Sequence, residues 1–325
     1  MNFKFNIFKK KWIFFLIIIS FIVIYSLIFS IIFTRNKLLK DNLKVNKNIT
    51  QIILKNIILD DNGCMFVKNQ LKKRSQPFDF ENEFIFFASL ISCRIPFSFI
   101  RFGDGEDNIM KGKKIKSKQD KWLWNPKNQK FRNSLIQSSS NCLRGNNFIG
   151  IPCKNWINIS ESILSFSNCT SAKFMSYATL FINKNYKIFS DWIYRFIQIS
   201  NRWKIILIAN KVINQNISWA YKFFPLPDKI TEIWDDYSIF LLPKLSNEAK
   251  QNNIIFFVSA GPAANIIISN LIKINKNNIY IDFGSSIEFI TKGYSTRPYT
   301  NKNSKYSIQS CESFYLINKT LIYNI

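Results

Sequence analysis

A run of 22 residues without a charged side chain, Trp12–Phe33, constrains this chain more than any other feature of its sequence. The run consists mainly of Ile, Phe and Leu. As an α-helix it would be about 33 Å long, which is enough to cross the hydrocarbon core of a bilayer. A cleaved signal peptide would have a shorter apolar region and a small-residue cleavage site, and the sequence shows neither. The run therefore predicts one N-terminal transmembrane anchor.

This anchor suggests how the rest of the chain is organised. We interpret residues 1–11 as a short basic tail, 12–33 as the anchor, 34–75 as a Lys- and Asn-rich stem, and 76–325 as one folded domain. Lysines lie on both sides of the anchor, so the positive-inside rule does not determine its orientation. A short tail ahead of a long C-terminal domain is typical of a signal anchor. It favours a single-pass membrane protein whose domain is luminal, in the secretory pathway, or extracytoplasmic.

The ionisable residues exclude several kinds of chemistry. The chain has no His, which rules out Ser–His–Asp and Cys–His catalysis and His-ligated zinc. Lys and Arg total 45 against 20 acidic residues, but the lysines are scattered and form no dense basic block. Because nucleic-acid binding requires a clustered basic face, no specific nucleic-acid partner is expected. Catalysis would have to use carboxylates, Lys, Tyr, Cys, backbone amides or a metal ion held by oxygen atoms.

Six cysteines leave two alternatives open. None belongs to a C-x-x-C pair, which argues against structural zinc and thioredoxin-like redox chemistry. In a secretory lumen some could pair as disulfides, and the closest set in sequence is Cys142, Cys153 and Cys169. Isolated buried thiols are the other interpretation.

Short apolar runs alternate with longer amphipathic segments after Pro77. The runs that resemble buried strands are Phe97–Phe102, Phe148–Ile151, Trp203–Ala209, Ile254–Ser259 and Ile279–Phe283. The segments that resemble helices are Asn128–Asn141, Trp156–Phe166, Asp191–Ile199, Tyr237–Gln251 and Ala263–Ile274. This alternation predicts an α/β domain with a mostly parallel sheet flanked by helices.

The first segment that suggests chemistry ends a predicted strand. The strand is followed by the turn Gly103–Glu106, with Arg101 just before it. Ligands of open α/β sheets bind at the carboxyl ends of strands. Asp104 and Glu106, separated by Gly105, could hold Mg²⁺ or Mn²⁺ together with a diphosphate and water, and Arg101 could neutralise a phosphate. A solvated surface turn is the alternative interpretation.

Two further strand ends carry comparable signals. After Ile254–Ser259 a turn with Gly261 and Pro262 leads into an apolar helix, whose free N-terminal amides could bind phosphate. After Ile279–Phe283 come Gly284 and Glu288; Asp282 and Glu288 could orient a sugar hydroxyl, act as a general base or cap the next helix.

Together the three segments resemble a known family. A strand ending in Arg-Phe-Gly-Asp-Gly-Glu, a strand followed by Ser-Ala-Gly-Pro and a helix, and Ile-Asp-Phe-Gly with a downstream acid are similar to the GT-D-type glycosyltransferases, first catalogued as a bacterial domain of unknown function. The resemblance covers about residues 80–295. It implies a Rossmann-like fold, a nucleotide-sugar donor, with a uridine diphosphate sugar favoured, and a divalent metal at Asp104-Gly105-Glu106. In the same comparison, Gly261 and Pro262 match the second motif, and Asp282, Gly284 and Glu288 match the third.

From these observations we expect a membrane-anchored, metal-dependent glycosyltransferase, with hexosyl transfer as the expected reaction and a glycan or protein as acceptor. Asp104 and Glu106 would bind the metal, and Arg101, Gly103, Gly105, Gly261 and Pro262 the donor. Asp282, Glu288, Asp235 and Asp236 are the candidate bases, although Asp235 and Asp236 could simply begin a helix. The alternatives are a non-catalytic basic membrane protein that binds nucleic acid or anionic lipid, and another phosphate-handling transferase.

Overall fold

The computed structural model describes residues 59–117, 122–140, 145–153, 157–167, 169, 171–199, 203–211, 217–295 and 297–311. The chain divides into two units, Met1–Ile52 and Ile53–Ile325, and all of the described residues belong to the second. Among them, no helix combines the length and the apolar character needed to cross a bilayer. The predicted anchor at residues 12–33 lies outside the described residues.

A seven-stranded sheet forms the centre of the domain. Its strands are β1 (Phe97–Arg101), β4 (Asn147–Ile151), β5 (Met175–Tyr177), β6 (Lys204–Asn210), β7 (Lys222–Leu226), β8 (Ile254–Ser259) and β9 (Ile279–Asp282). They are ordered β5-β4-β1-β9-β8-β6-β7, and every neighbouring pair is parallel. A separate antiparallel hairpin consists of β2 (Ile115–Ser117) and β3 (Trp122–Trp124). The predicted parallel sheet is therefore confirmed.

Helices cover both faces of the sheet. They are α1 (Asp61–Lys73), α2 (Phe80–Ser92), α3 (Asp104–Met110), α4 (Gln129–Ser139), α5 (Ile157–Ser167), α6 (Tyr186–Gln198), α7 (Trp234–Ala249), α8 (Ala263–Ile274), α9 (Glu288–Thr291) and α10 (Lys305–Ile308). Leu135, Leu245 and Ile267, from α4, α7 and α8, share one buried cluster with Phe256 of β8. Because neighbouring strand residues point to opposite faces, Phe257 packs on the other side, 6.3 Å from Phe196 of α6.

That second face is built largely from aromatic rings. Phe84 of α2 lies 6.1 Å from Trp192 of α6, and Phe257 lies 4.8 Å from Phe283, which follows β9. Most of these contacts are edge-to-face or tilted, the arrangements that aromatic quadrupoles favour. Many of the phenylalanine residues of this chain are therefore core residues.

The sequence prediction did not include the hairpin strands β2 and β3, and within the seven-stranded sheet it missed the two edge strands. Strand β5 has only three residues, and β7 contains Pro225. Proline removes a backbone donor, so it is tolerated in an edge strand and argues against a strand when only the sequence is read. By contrast, the structure reproduces Ile254–Ser259 and Ala263–Ile274 with unchanged bounds.

Helix α1 shows that part of the segment interpreted as a stem packs on the domain. A disulfide joins Cys64 of α1 to Cys93, with a Cα–Cα distance of 5.3 Å. Just after α1, the guanidinium of Arg74 forms a buried ion pair with Glu83 of α2. Residues 59–75 are therefore attached to the domain both covalently and electrostatically.

The cysteines favour the disulfide alternative. In addition to Cys64–Cys93, a second bond joins Cys153 to Cys311, 158 residues further along the chain. Cys169 is disulfide-bonded as well, and Cys142 lies outside the described residues. Proximity in sequence did not predict the partner of Cys153, because pairing depends on which chain segments the fold brings together.

Candidate active site

A cleft lies at the carboxyl edge of the parallel sheet, where several strands end. Its volume is about 290 Å³. Arg101 ends β1, Asn210 ends β6, Leu226 ends β7 and Ser259 ends β8, and all four residues line the cleft. The other lining residues are Asp104, Gly105, Glu106, Pro227, Asp228, Lys229, Ile230, Thr231, Ala260, Gly261, Pro262, Gly284, Ser285, Glu288, Lys292 and Arg297. All three sequence segments singled out for chemistry thus meet in one place.

The two carboxylates of the segment that follows β1, Asp104 and Glu106, belong to the first turn of α3. Asp104 is exposed, whereas Glu106 turns back so that its Oε2 accepts the N–H of Gly103 at 2.8 Å. Burial, with a smaller contribution from the nearby carboxylate of Asp282, raises the pKa of Glu106 to about 7 despite the opposing effects of the Gly103 N–H and Arg101. A cation in the cleft would favour the ionised form of this group.

Arg101 is held by a buried partner. Its Nε and Nη2 donate to the two carboxylate oxygens of Asp282 at 3.2 and 3.3 Å, and its Nη1 donates to the carbonyl of Ala178 at 3.1 Å. Burial raises the pKa of Asp282, opposed by Arg101 and by the N–H of Gly284. Asp282 does not line the cleft. Its carboxylate instead holds the guanidinium of Arg101, which does line the cleft.

Gly284 makes room for that guanidinium. A Cβ on Gly284 would lie 1.8 Å from Nη2 of Arg101, and the backbone φ of Gly284 is +52°. A side chain at this position is therefore disfavoured both by the collision with Arg101 and by the left-handed backbone conformation.

The second segment supplies a turn with an open backbone. Gly261 has a φ of +54°, and no atom lies within 4 Å of the position that a Cβ would take. Pro262 follows as the N-cap of α8. The hydroxyl of Ser259 donates to the carbonyl of Gly284 at 2.7 Å, which joins the second segment to the third.

Asn265 is an important residue that the sequence analysis missed. It is fully buried in the first turn of α8. Its amide donates to the carbonyl of Arg101 at 2.7 Å, and its side-chain oxygen accepts the N–H of Arg101 at 3.3 Å. Asn265 thus holds the end of β1 against α8. Its position in the first turn after Gly-Pro, as the single polar residue of Ala263–Ile268, was the available signal.

Glu288 lines the cleft together with two cations that the sequence analysis did not select. Lys292 Nζ lies 3.0 Å from Glu288 Oε1, and Arg297 Nε lies 3.7 Å from Glu288 Oε2. The hydroxyl of Ser295 also donates to Glu288. Burial lowers the pKa of Arg297, and the charge of Arg101 lowers it further. This cluster places positive charge beside the first and third segments.

Asp235 and Asp236 are not among the residues that line the cleft. They occupy the first turn of α7, the role considered as their alternative from sequence. Negative side chains there interact favourably with the positive end of the helix dipole. The acid that the loop before α7 does bring to the cleft is Asp228, whose side chain accepts a hydrogen bond from Asn210.

The residues present are compatible with a hard metal ion whose remaining ligands are phosphate oxygens and water. Among the described residues, no cluster of three or more Asp, Glu or Cys side chains could enclose a metal. Asp104 and Glu106 nevertheless line one cleft, and one or two carboxylates are the protein ligands that Mg²⁺ uses when phosphate and water complete its shell.

Two solved structures resemble this domain. Both are described as the domain of unknown function 1792, and one description states that the domain has a distinct glycosyltransferase fold. The first is 17% identical, covers 76% of this chain and 94% of that chain, and has a TM-score of 0.44. The second is 18% identical, covers 74% of this chain and 92% of that chain, and has the same TM-score of 0.44. Both descriptions name the kind of domain that the three motifs were expected to resemble. No family model and no curated protein matches the chain.

Proposed function

We propose that this chain is a membrane-anchored, metal-dependent glycosyltransferase. It would move a sugar, expected to be a hexose, from a nucleotide-sugar to an acceptor hydroxyl on a glycan or protein. The observation that carries the proposal is the meeting of the turns at Asp104, Gly261 and Gly284 in one cleft at the carboxyl edge of a parallel sheet. That edge is where doubly wound α/β folds bind their ligands.

The charges of the cleft support both a diphosphate and a metal. Four cationic side chains line it, and they are Arg101, Lys229, Lys292 and Arg297. Four carboxylates also line it, and they are Asp104, Glu106, Asp228 and Glu288. With Glu106 ionised these charges balance, and the side chains then supply no excess positive charge for a diphosphate. A divalent cation would neutralise the charge that develops on the departing diphosphate, and Asp104 and Glu106 would hold that cation.

The remaining roles are assigned to this chain's own groups. The backbone turn at Gly261 and Pro262 lets a phosphate approach the N-terminus of α8, where the helix dipole favours negative charge. Arg101, oriented by Asp282, would contribute positive charge to the binding of that phosphate. Of the four candidate bases, Glu288 lines the cleft, so we assign it the acceptor proton. The family resemblance favours a uridine diphosphate sugar.

The disulfides support a luminal or extracytoplasmic domain. Cys64–Cys93 and Cys153–Cys311 both join distant segments of the folded domain. Such bonds form and persist in oxidising compartments, whereas the cytosol keeps most thiols reduced. This compartment agrees with the signal anchor expected from residues 12–33.

Asp104→Asn tests the proposed donor site. Calorimetry of the intact chain in lipid nanodiscs should show Mn²⁺-dependent binding of uridine diphosphate, and the variant should weaken it at least about tenfold, because a charged metal ligand is lost. Asp235→Asn is the matched control, since Asp235 is absent from the cleft lining, and its affinity should equal that of the wild type. Equal nucleotide affinity in wild type and Asp104→Asn would refute the assignment.

The pKa of Glu106 predicts a pH dependence for metal binding. With a pKa raised to about 7, Glu106 is mostly protonated below that pH, and a metal must displace the proton. Mn²⁺ affinity should therefore rise as the pH increases through about 7 and level off above it. In Glu106→Gln the affinity should be lower and this rise should disappear. The same Mn²⁺ affinity on both sides of pH 7 in the wild type would show that Glu106 is not a ligand.

A further inference from the structure

A second, open pocket lies outside the cleft and has no role in the proposed transfer. Its volume is about 570 Å³, and it is lined by Tyr186, Ser190, Asp191, Tyr194, Arg195 and Phe289. Its lining thus combines three aromatic rings with a hydroxyl, a carboxylate and a guanidinium, and contains no aliphatic side chain.

Helix α6 places most of these residues on one face. The lining positions 186, 190, 191, 194 and 195 follow the spacing of a single helical stripe. The opposite stripe is buried in the aromatic core and includes Phe189, Trp192 and Phe196. An outward helix face normally carries charged and small polar residues, yet Tyr194 remains 55% exposed. Packing within the described residues does not account for this ring.

The pocket adjoins the cleft through α9 and a line of rings. Phe289 of the pocket directly follows Glu288 of the cleft. The ring of Tyr186 lies 6.0 Å from that of Phe289 and 5.0 Å from that of Tyr299. The hydroxyl of Tyr299 is 3.0 Å from that of Ser285, which lines the cleft. The pocket and the cleft therefore share helix α9, and contacting side chains join their linings.

We propose that this pocket binds the glycan chain of the acceptor, one or more sugar units away from the hydroxyl that reacts. The proposal rests on the proposed function. The apolar C–H face of a pyranose packs on an aromatic ring, while its hydroxyls require neighbouring donors and acceptors such as Ser190, Asp191 and Arg195. A peptide anchored by aliphatic side chains would find no aliphatic contact in this lining.

The test measures binding of oligosaccharides directly, without turnover. Neutral linear hexasaccharides of glucose, mannose, galactose and N-acetylglucosamine are titrated, by saturation-transfer NMR, into the intact chain in nanodiscs. At least one should bind, and Tyr194→Ala should weaken it about fivefold or more, since stacking on an exposed ring is lost. Tyr221→Ala is the matched control, because Tyr221 is similarly exposed, at 57%, and lies outside the pocket.

The outcomes separate this proposal from the proposed function. Tyr194 is on the surface, so its loss should leave the melting temperature and the Mn²⁺-dependent binding of uridine diphosphate unchanged. Failure of all four hexasaccharides to bind, or equal effects of Tyr194→Ala and Tyr221→Ala, would overturn the glycan site. If the wild type binds a hexasaccharide through Tyr194 but binds no nucleotide, the carbohydrate site stands and its role in glycosyl transfer is wrong.

Discussion

Replacing Gly284 with alanine is expected to abolish nucleotide binding and to destabilise the domain by about 3–5 kcal/mol, the usual cost of breaking a buried ion pair. The new Cβ would lie 1.8 Å from Nη2 of Arg101, so the guanidinium must move away from Asp282. Asp282 is only 5% exposed and would be left as an unpaired carboxylate. Because Arg101 also lines the cleft, one added methyl group should disturb both the stability of the domain and the proposed donor site.

Gly145→Ala is the matched control for backbone strain. Gly145 has a φ of +67°, and nothing lies within 4 Å of its would-be Cβ. Alanine at this position must adopt the left-handed backbone conformation, which costs about 1–2 kcal/mol, but its Cβ collides with no other atom. Chemical denaturation and calorimetry with uridine diphosphate should therefore show a small loss of stability and unchanged binding in the control. Equal effects of the two substitutions would mean that the Arg101–Asp282 pair does not depend on Gly284.

Glu83→Gln is expected to destabilise the domain strongly, although Glu83 lies outside the cleft. Nη1 and Nη2 of Arg74 donate to the two oxygens of Glu83 at 2.7 and 2.8 Å, and both side chains are fully buried. Arg74 also donates to the carbonyls of Lys173 and Met175, which ties α2 to edge strand β5. Removing the negative partner leaves a buried guanidinium uncompensated, which should cost about 3–5 kcal/mol.

The neighbouring Glu81→Gln provides the control on the same helix. Glu81 pairs with Lys184, but their side chains are 43% and 46% exposed. An exposed pair contributes about 0–1 kcal/mol, because water and salt screen it. In urea the unfolding midpoint should fall strongly for Glu83→Gln and little for Glu81→Gln, with similar slopes. A comparable loss in both variants would show that burial of the Arg74–Glu83 pair is not what stabilises this region.

The sequence by itself determined the fold class and the places where chemistry could occur. Strand β8 and helix α8 were predicted with their observed bounds, because a buried run followed by Gly-Pro and an apolar helix is a purely local pattern. The strand-end turns at Asp104, Gly261 and Gly284 were likewise visible, and parallel strands necessarily bring such turns to one edge of a sheet. Local periodicity and turn chemistry carry this information without any knowledge of strand order.

Only the tertiary structure decided which of these residues act together. Arg101 and Asp282 are 181 residues apart, and they meet because β1 and β9 are neighbours in the sheet. The packing of distant segments also pairs Cys153 with Cys311. It places Lys292 and Arg297 in the lining of the cleft, whereas Asp235 begins a helix and is not part of that lining. Such partnerships depend on how distant segments pack, and packing is a property of the whole chain. No local pattern of residues encodes it.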